Sequence, residues 1–247
     1  MSEGKRARAQ QRALAAMKRT LDWAYDHATE AIPGIGSAKD VAAKHLKASD
    51  NVPEKAIDNL IAAHTAYAGV TGFVTNLGGV MTLPVSIPAN VASVLALQLR
   101  LIAAIAHLRN YDPADPRVRT MAFLCLTGSG AASVLEDVGV SFGTKLTGQL
   151  LGGLSSVALK KINHVVGARL TSTMGASAFA TMGKALPIVG AVVGGAFDAA
   201  VTRGIGAAAK SIFVAREDVV AITDVVTIEG VVAKDDDSKI SDVIPDQ

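Results

Sequence analysis

The chain has almost no cysteine and few aromatics. Its one thiol is Cys125, so no intrachain disulfide can form. It lies in the apolar run Met121–Leu126, where a lone cysteine behaves as a small buried hydrophobe, and a reducing cytoplasmic compartment fits it. Phe, Trp and Tyr make up 4% of the residues, so the 50% apolar content is carried mainly by Ala, Val, Leu and Ile, with 23 Gly among them. Small side chains let helices approach closely. Charge is scarce as well: the net charge is +2 and charged residues are 19% of the chain, which argues against nucleic acid as a partner.

The signatures of common catalytic and cofactor sites are missing too. His27, His45, His64, His107 and His164 are scattered, with no HExxH or CxxC spacing, so no metal is expected. Gly34–Lys39 holds Gly and Lys without the P-loop spacing, and Gly204-Ile-Gly-Ala-Ala-Ala209 fits GxGxxA only on paper. It lies in a predicted helix with no strand before it, so no dinucleotide or other cofactor is expected. Ser129 lacks the Gly-x-Ser-x-Gly elbow.

The largest absence is one of charge along a segment. From Ala66 to Leu99 there is no Asp, Glu, Lys, Arg or His, and Pro84 and Pro88 interrupt the run. Mean hydropathy over the whole chain is +0.35. A bilayer span needs about 20 apolar residues. Ala66–Leu83 is rich in Gly and Thr, and Val91–His107 contains Gln98 and Arg100. An arginine at mid-bilayer costs roughly 2.5–3.5 kcal/mol. A helical hairpin bent at Pro84–Pro88 and inserted from one side is therefore expected in preference to two crossings.

What charge there is gathers at the ends. Up to Thr20, Lys5, Arg6, Arg8, Arg12, Lys18 and Arg19 face Glu3 alone, and Asp235, Asp236, Asp237, Asp242 and Asp246 crowd the last stretch. The basic start runs into an amphipathic pattern, not a continuous apolar core, so no secretory leader is expected. This start reads either as a solvated helix face or as a surface for anionic lipid, with Trp23 and Tyr25 suited to the interface.

Periodicity predicts helices over 5–32, 37–47 with Ser37 as cap, 53–68 with Pro53 at the first position, 89–109, 115–128, 154–182 and 187–215. Residues 128–153 and the β-branched run 219–228 are ambiguous between helix and strand. Three GxxxG pairs, Gly139/Gly143, Gly148/Gly152 and Gly190/Gly194, read as close helix contacts. The expected fold is all-α: a basic amphipathic helix over 1–36, a single compact helical domain over 37–215 with a Gly-rich apolar core centred on the 89–109 and 187–215 helices, and a segment 216–247 ending in a disordered acidic tail.

Polar residues inside the apolar regions are the candidate site. Arg100 and His107 lie seven apart on one helix face, and a buried arginine needs a partner. Asp198 has Thr202 one turn on, within reach of a local contact, and Arg203 beside it. Glu136 and Asp137 form a second acidic pair. Fixed ion pairs and a functional polar site remain alternatives for these groups.

Thr71-Gly72, Gly78-Gly79-Val-Met-Thr-Leu-Pro84-Val-Ser-Ile-Pro88, Gln98-Leu-Arg100 through His107, and Tyr111-Asp112 resemble the core of the EcsC family. Lys184-Ala-Leu-Pro187, Gly190, Gly194-Gly195, Asp198 and Thr202-Arg203-Gly-Ile-Gly206 look like its carboxyl-terminal block. The resemblance spans about 56–213. It implies a bacterial protein and marks Gln98, Arg100, His107, Asp112, Lys184, Asp198 and Arg203 as recurrent polar positions, taken here as ligand-binding candidates. The family's name comes from a gene beside an ABC transporter, which adds a membrane transporter component to the expected partners.

The leading expectation is a non-enzymatic protein that binds a membrane lipid or another hydrophobic ligand, cytoplasmic or peripheral at the inner membrane face. Two other classes stay open. One is an enzyme acting on a lipid or peptide, which requires Arg100, His107, Asp198 and Arg203 to converge on an open pocket. The other is an adaptor for a transporter, held by the acidic tail or the basic helix.

Overall fold

A computed structural model of the chain describes residues 3–31, 36–71, 89–140, 153–181 and 189–215. Among them are eight α-helices, one short 3-10 turn (Gly128–Gly130) and no strand. The helices are α1 (Glu3–Thr29), α2 (Ala38–Lys47), α3 (Pro53–Thr71), α4 (Ala89–Leu108), α5 (Pro116–Cys125), α6 (Ala131–Asp137), α7 (Ser156–Thr181) and α8 (Val189–Ile212). The fold is all-α, as the periodicity predicts. The uncharged middle (72–88), Lys184, Pro187, Gly143, the Gly148/Gly152 pair and everything after 215 lie outside the described residues.

Local chemistry sets the helix ends. Ser37 caps α2 in a reciprocal box: the Asp40 amide donates to Ser37 Oγ at 3.1 Å and the Ser37 amide to Asp40 Oδ2 at 2.8 Å. That carboxylate is held below its ordinary pKa by the Ser37 amide and hydroxyl. Asp50 and Asn51 adopt φ of 57° and 59°, reversing the chain so that Pro53 opens α3. Asn110 at φ 62° ends α4, its amide donating to His107 O while the Tyr111 amide reaches Ala106 O. Asp115 caps α5, and Pro116 fills the first position, where no amide is needed.

Gly139 corrects one expectation. It sits past the end of α6 at φ 80°, its amide on Glu136 O and the next one, Val140, on Leu135 O. Its lack of a Cβ serves a helix stop, not one half of a GxxxG helix face.

Helix α4 is the axis of the core. Every residue from Gln98 to Ala106 is buried, and α1, α2, α3, α5 and α8 all pack on it. A helix apolar all round is stable only when surrounded. This accounts for the last third of the uncharged segment by ordinary packing, each fully buried large side chain stabilising by roughly 1.5–3 kcal/mol.

The most extensive contact of α8 is with α3 rather than α4. Polar clamps join the layers. Arg109, only 7% exposed, meets Glu54 Oε1 at 2.6 Å, and Lys210 reaches Glu54 and Asp58, so α4, α3 and α8 share one ion network. Arg119 bridges Asp22 and Asp26 at 3.0 and 2.7 Å and stacks over Tyr25 and Phe123, tying α5 to α1. Asp137, half of the predicted acidic pair, is matched by Arg169 of α7 at 2.7 Å.

Tyr25 is therefore not an interfacial aromatic. It is buried, its hydroxyl donates to Pro113 O at 2.8 Å, and burial raises its pKa. The sequence shows a tyrosine on an amphipathic helix; only the fold shows that α5 covers it. Trp23 is half-buried and stacks on His27 at 4.3 Å. Cys125 is buried, and burial raises its thiol pKa.

Candidate functional site

Gln98 and Arg100 are two positions apart on α4, just over half a helical turn, so they point to opposite sides. Gln98 faces α8, where its Nε2 donates to Thr202 Oγ1 at 2.9 Å while its buried Oε1 has no donor among the described residues. Thr202 thus serves Gln98 across the interface, and no hydrogen bond joins it to Asp198. Asp198 lies one turn before Thr202, half-buried; desolvation raises its pKa, and among the described residues no cation offsets it.

Arg100 faces α1, α2 and α3 instead. It is 3% exposed, and its Nη2 donates to the carbonyl of His27, in the last turn of α1, at 2.9 Å. The partial negative charge at a helix C-terminus suits this contact. Nε and Nη1 have no acceptor among the described residues, and desolvation lowers the pKa of the guanidinium.

Beside it stand two residues that sequence spacing did not single out. His64 of α3 donates from Nδ1 to Leu60 O at 3.0 Å, which leaves the lone pair on Nε2. Desolvation holds its pKa below the ordinary value, with His45 and Arg100 pushing the same way. His45 of α2 is half-buried and also lowered, by desolvation and by Lys44. Only the mutual packing of α2, α3 and α4 brings His45 and Arg100 to His64, and no short motif encodes it.

The remaining candidates disperse. His107 is half-buried in the last turn of α4. Asp112 is exposed, and its Oδ1 accepts from the Ala114 amide at 2.9 Å, a turn-forming contact after α4. Arg203 is exposed on α8. Lys184 lies outside the described residues. Arg100 and Asp198 therefore belong to different helix interfaces, and the four groups that the enzyme reading needs do not meet among the described residues. The segment Gly204–Ala209 lies within α8, where Gly206 abuts Ile61 of α3; its small residues serve helix packing.

A family model described as the EcsC protein family matches residues 10–217. The chain belongs to the EcsC family. The matched span runs from α1 through α8, so the helical body, Arg100 and the Gln98–Thr202 pair are all family territory. No curated protein and no solved structure matches this EcsC chain.

Two surfaces face outward. Every described side chain from Gly4 to Ala13 is exposed, so the first turns of α1 project beyond the body. Lys5, Arg8, Arg12 and Arg19 fall within about 60° of one another around the helix, opposite Met17, Leu21 and Tyr25, which face the core. On α8, Phe197 and Val201 stand one turn apart at 68% and 39% exposure. Residues 189–197 carry no charge.

Proposed function

We propose that this EcsC chain is a non-enzymatic protein that binds lipid at a membrane surface, peripheral to the inner face, with α1 as its electrostatic contact. The observation that carries the reading is the projecting basic stripe of Lys5, Arg8, Arg12 and Arg19. Lys5 lies in the first turn of α1, where a cation opposes the helix dipole by about a few tenths of a kcal/mol. Lys5, Arg8 and Arg12 are exposed, and among the described residues no carboxylate pairs with them to offset this. An exposed stripe that serves no internal contact fits an external anion. An anionic bilayer supplies about 1 kcal/mol for each such residue.

Apolar features support lipid over other anionic partners. Phe197 and Val201 offer exposed apolar area on α8, and an uncharged segment adjoins both α3 and α4 in sequence. Helix α4 itself favours peripheral contact over a span. Val91–Leu108 is long and apolar enough to cross a bilayer, at mean hydropathy 1.9, yet 72% of it is buried inside the protein's own body.

Flotation with vesicles of phosphatidylglycerol and phosphatidylcholine tests the reading. The protein should rise with the anionic vesicles and stay down with pure phosphatidylcholine. Recovery wholly in the soluble fraction with both compositions refutes it.

A further inference from the structure

We propose that Arg100, His64 and His45 form a recognition site for one oxyanionic group of the phosphate class, set where α2, α3 and α4 meet the end of α1. The inference does not rest on the membrane reading, since it concerns the interior and not the α1 stripe.

The geometry begins with a cation that the protein leaves incompletely answered. Arg100 is 3% exposed and has a single acceptor among the described residues, His27 O. Among the described residues its buried Nε and Nη1 groups have no partner, and no carboxylate pairs with it. A buried guanidinium in a purely structural role normally has its donors satisfied, because unmade hydrogen bonds to a charged group are costly. The helix end that it caps carries only a fraction of a negative charge.

The surroundings are basic from every side that the described residues provide. Arg100 comes from α4, His64 from α3, and His45 and Lys44 from α2. From α1, His27 offers its carbonyl, while its ring Nδ1 hydrogen-bonds Trp23 O. Exposure rises along this file, from buried Arg100 through half-buried His64 and His45 to exposed Lys44. The file pairs two cations, Arg100 and Lys44, with two imidazoles able to take up positive charge. The free N–H groups of Arg100 then supply the charge-assisted donors at the inner end. Burial lowers the pKa of both imidazoles, with His45 and Arg100 adding to the effect at His64 and Lys44 at His45. A bound anion reverses that balance, so binding should draw protons onto His64.

The test reads the His64 ring in the full-length protein by side-chain NMR. Titration with inorganic phosphate, against chloride at equal ionic strength, should raise the His64 pKa. Saturating phosphate should also raise the melting temperature by about 5 °C, as mass action at a native-state site requires. Arg100→Met should abolish both responses, and Arg100→Lys should retain a weakened one. A response to inorganic phosphate identifies a free oxyanion. A His64 response only to phosphatidylglycerol vesicles identifies a lipid headgroup. A His64 ring indifferent to both, or an equal response in Arg100→Met, overturns the proposal. If Arg100→Met fails to fold, the wild-type titration alone decides. Loss of vesicle flotation with an intact phosphate response would sink the membrane reading and leave this one standing.

Discussion

Gly206 of α8 and Ile61 of α3 meet with no room for a methyl group: a Cβ on Gly206 would lie 2.8 Å from Ile61 Cγ1 and 2.9 Å from Cγ2. Both atoms hang from a branched Cβ that is stiff in a helix, so the clash cannot be relieved at a flexible tip. Gly206→Ala should destabilise by roughly 1–3 kcal/mol, the range for overpacking, despite the better helix propensity of Ala. Gly204, just over half a turn earlier, has nothing within 4 Å of an added Cβ. There the propensity gain should show alone, about 0.5–1 kcal/mol in favour of Gly204→Ala. Urea midpoints for the two variants should move in opposite directions; movement in the same direction would show that α3 and α8 do not cross at Gly206.

Gly204 and Gly206 look alike in sequence and differ only in what stands opposite, on a helix far away along the chain. Ser37, Pro53, Asn110 and Pro116 act instead through neighbours within a few positions, so their helix ends are legible in the sequence. The candidate site divides in the same way. Gln98 and Arg100 are visible as polar residues in an apolar helix, whereas Thr202, His27 and His64 become their neighbours only through tertiary packing. Tyr25 reads as interfacial because its amphipathic helix does not disclose that Arg119 and Phe123 cover it.

Glu54 holds Arg109 in place at 2.6 Å while itself half exposed. Glu54→Gln leaves a buried guanidinium facing a neutral amide. Full loss of a buried pair costs about 3–5 kcal/mol, and solvent at Glu54 reduces this to roughly 1–2 kcal/mol. Lys210 loses one of its two carboxylates in the same variant, so effects at Lys210 and Glu54 should be non-additive. A double-mutant cycle with Lys210→Met measured by urea denaturation checks this; strict additivity would remove Lys210 from the network.

Half-buried His64 gives the fold a pH dependence with a defined sign. Its folded pKa lies below the ordinary value of 6.5, so at mildly acidic pH the unfolded chain binds a proton that the folded protein refuses. Stability from this residue is fully present above pH 6.5 and falls as pH drops from there toward the lowered folded value. His64→Gln should flatten the fall, leaving the part due to His45. Thermal midpoints between pH 7.5 and 5 in a buffer free of phosphate report it, and an unchanged slope in the variant would exclude His64 as the source.

Asp198 carries the opposite sign. Desolvation raises its pKa, so its charged form weakens the fold once pH climbs through the raised value, and the penalty shrinks toward the acid side. Asp198→Asn should therefore raise the melting temperature slightly at pH 7 and not at pH 3.5. A fall at pH 7 would mean that the carboxylate makes a stabilising contact of its own.

The basic stripe separates binding from folding more cleanly than any other feature of this EcsC chain. Lys5, Arg8 and Arg12 are exposed on the first turns of α1, so reversing all three to Glu should leave the melting temperature within about 1 °C, or raise it slightly through the helix dipole. The same change should cut partition onto phosphatidylglycerol vesicles at least 100-fold, since three cations at about 1 kcal/mol each amount to roughly two decades. Salt should act in parallel. At 1 M the Debye length falls to about 3 Å, and exposed charges cease to feel a surface beyond it. Wild-type protein that still floats at that salt would be held by apolar insertion, which makes Phe197→Ser with Val201→Ser the next pair to measure. Flotation lost with salt and lost with the charge reversal, with folding intact in both, assigns the contact to α1.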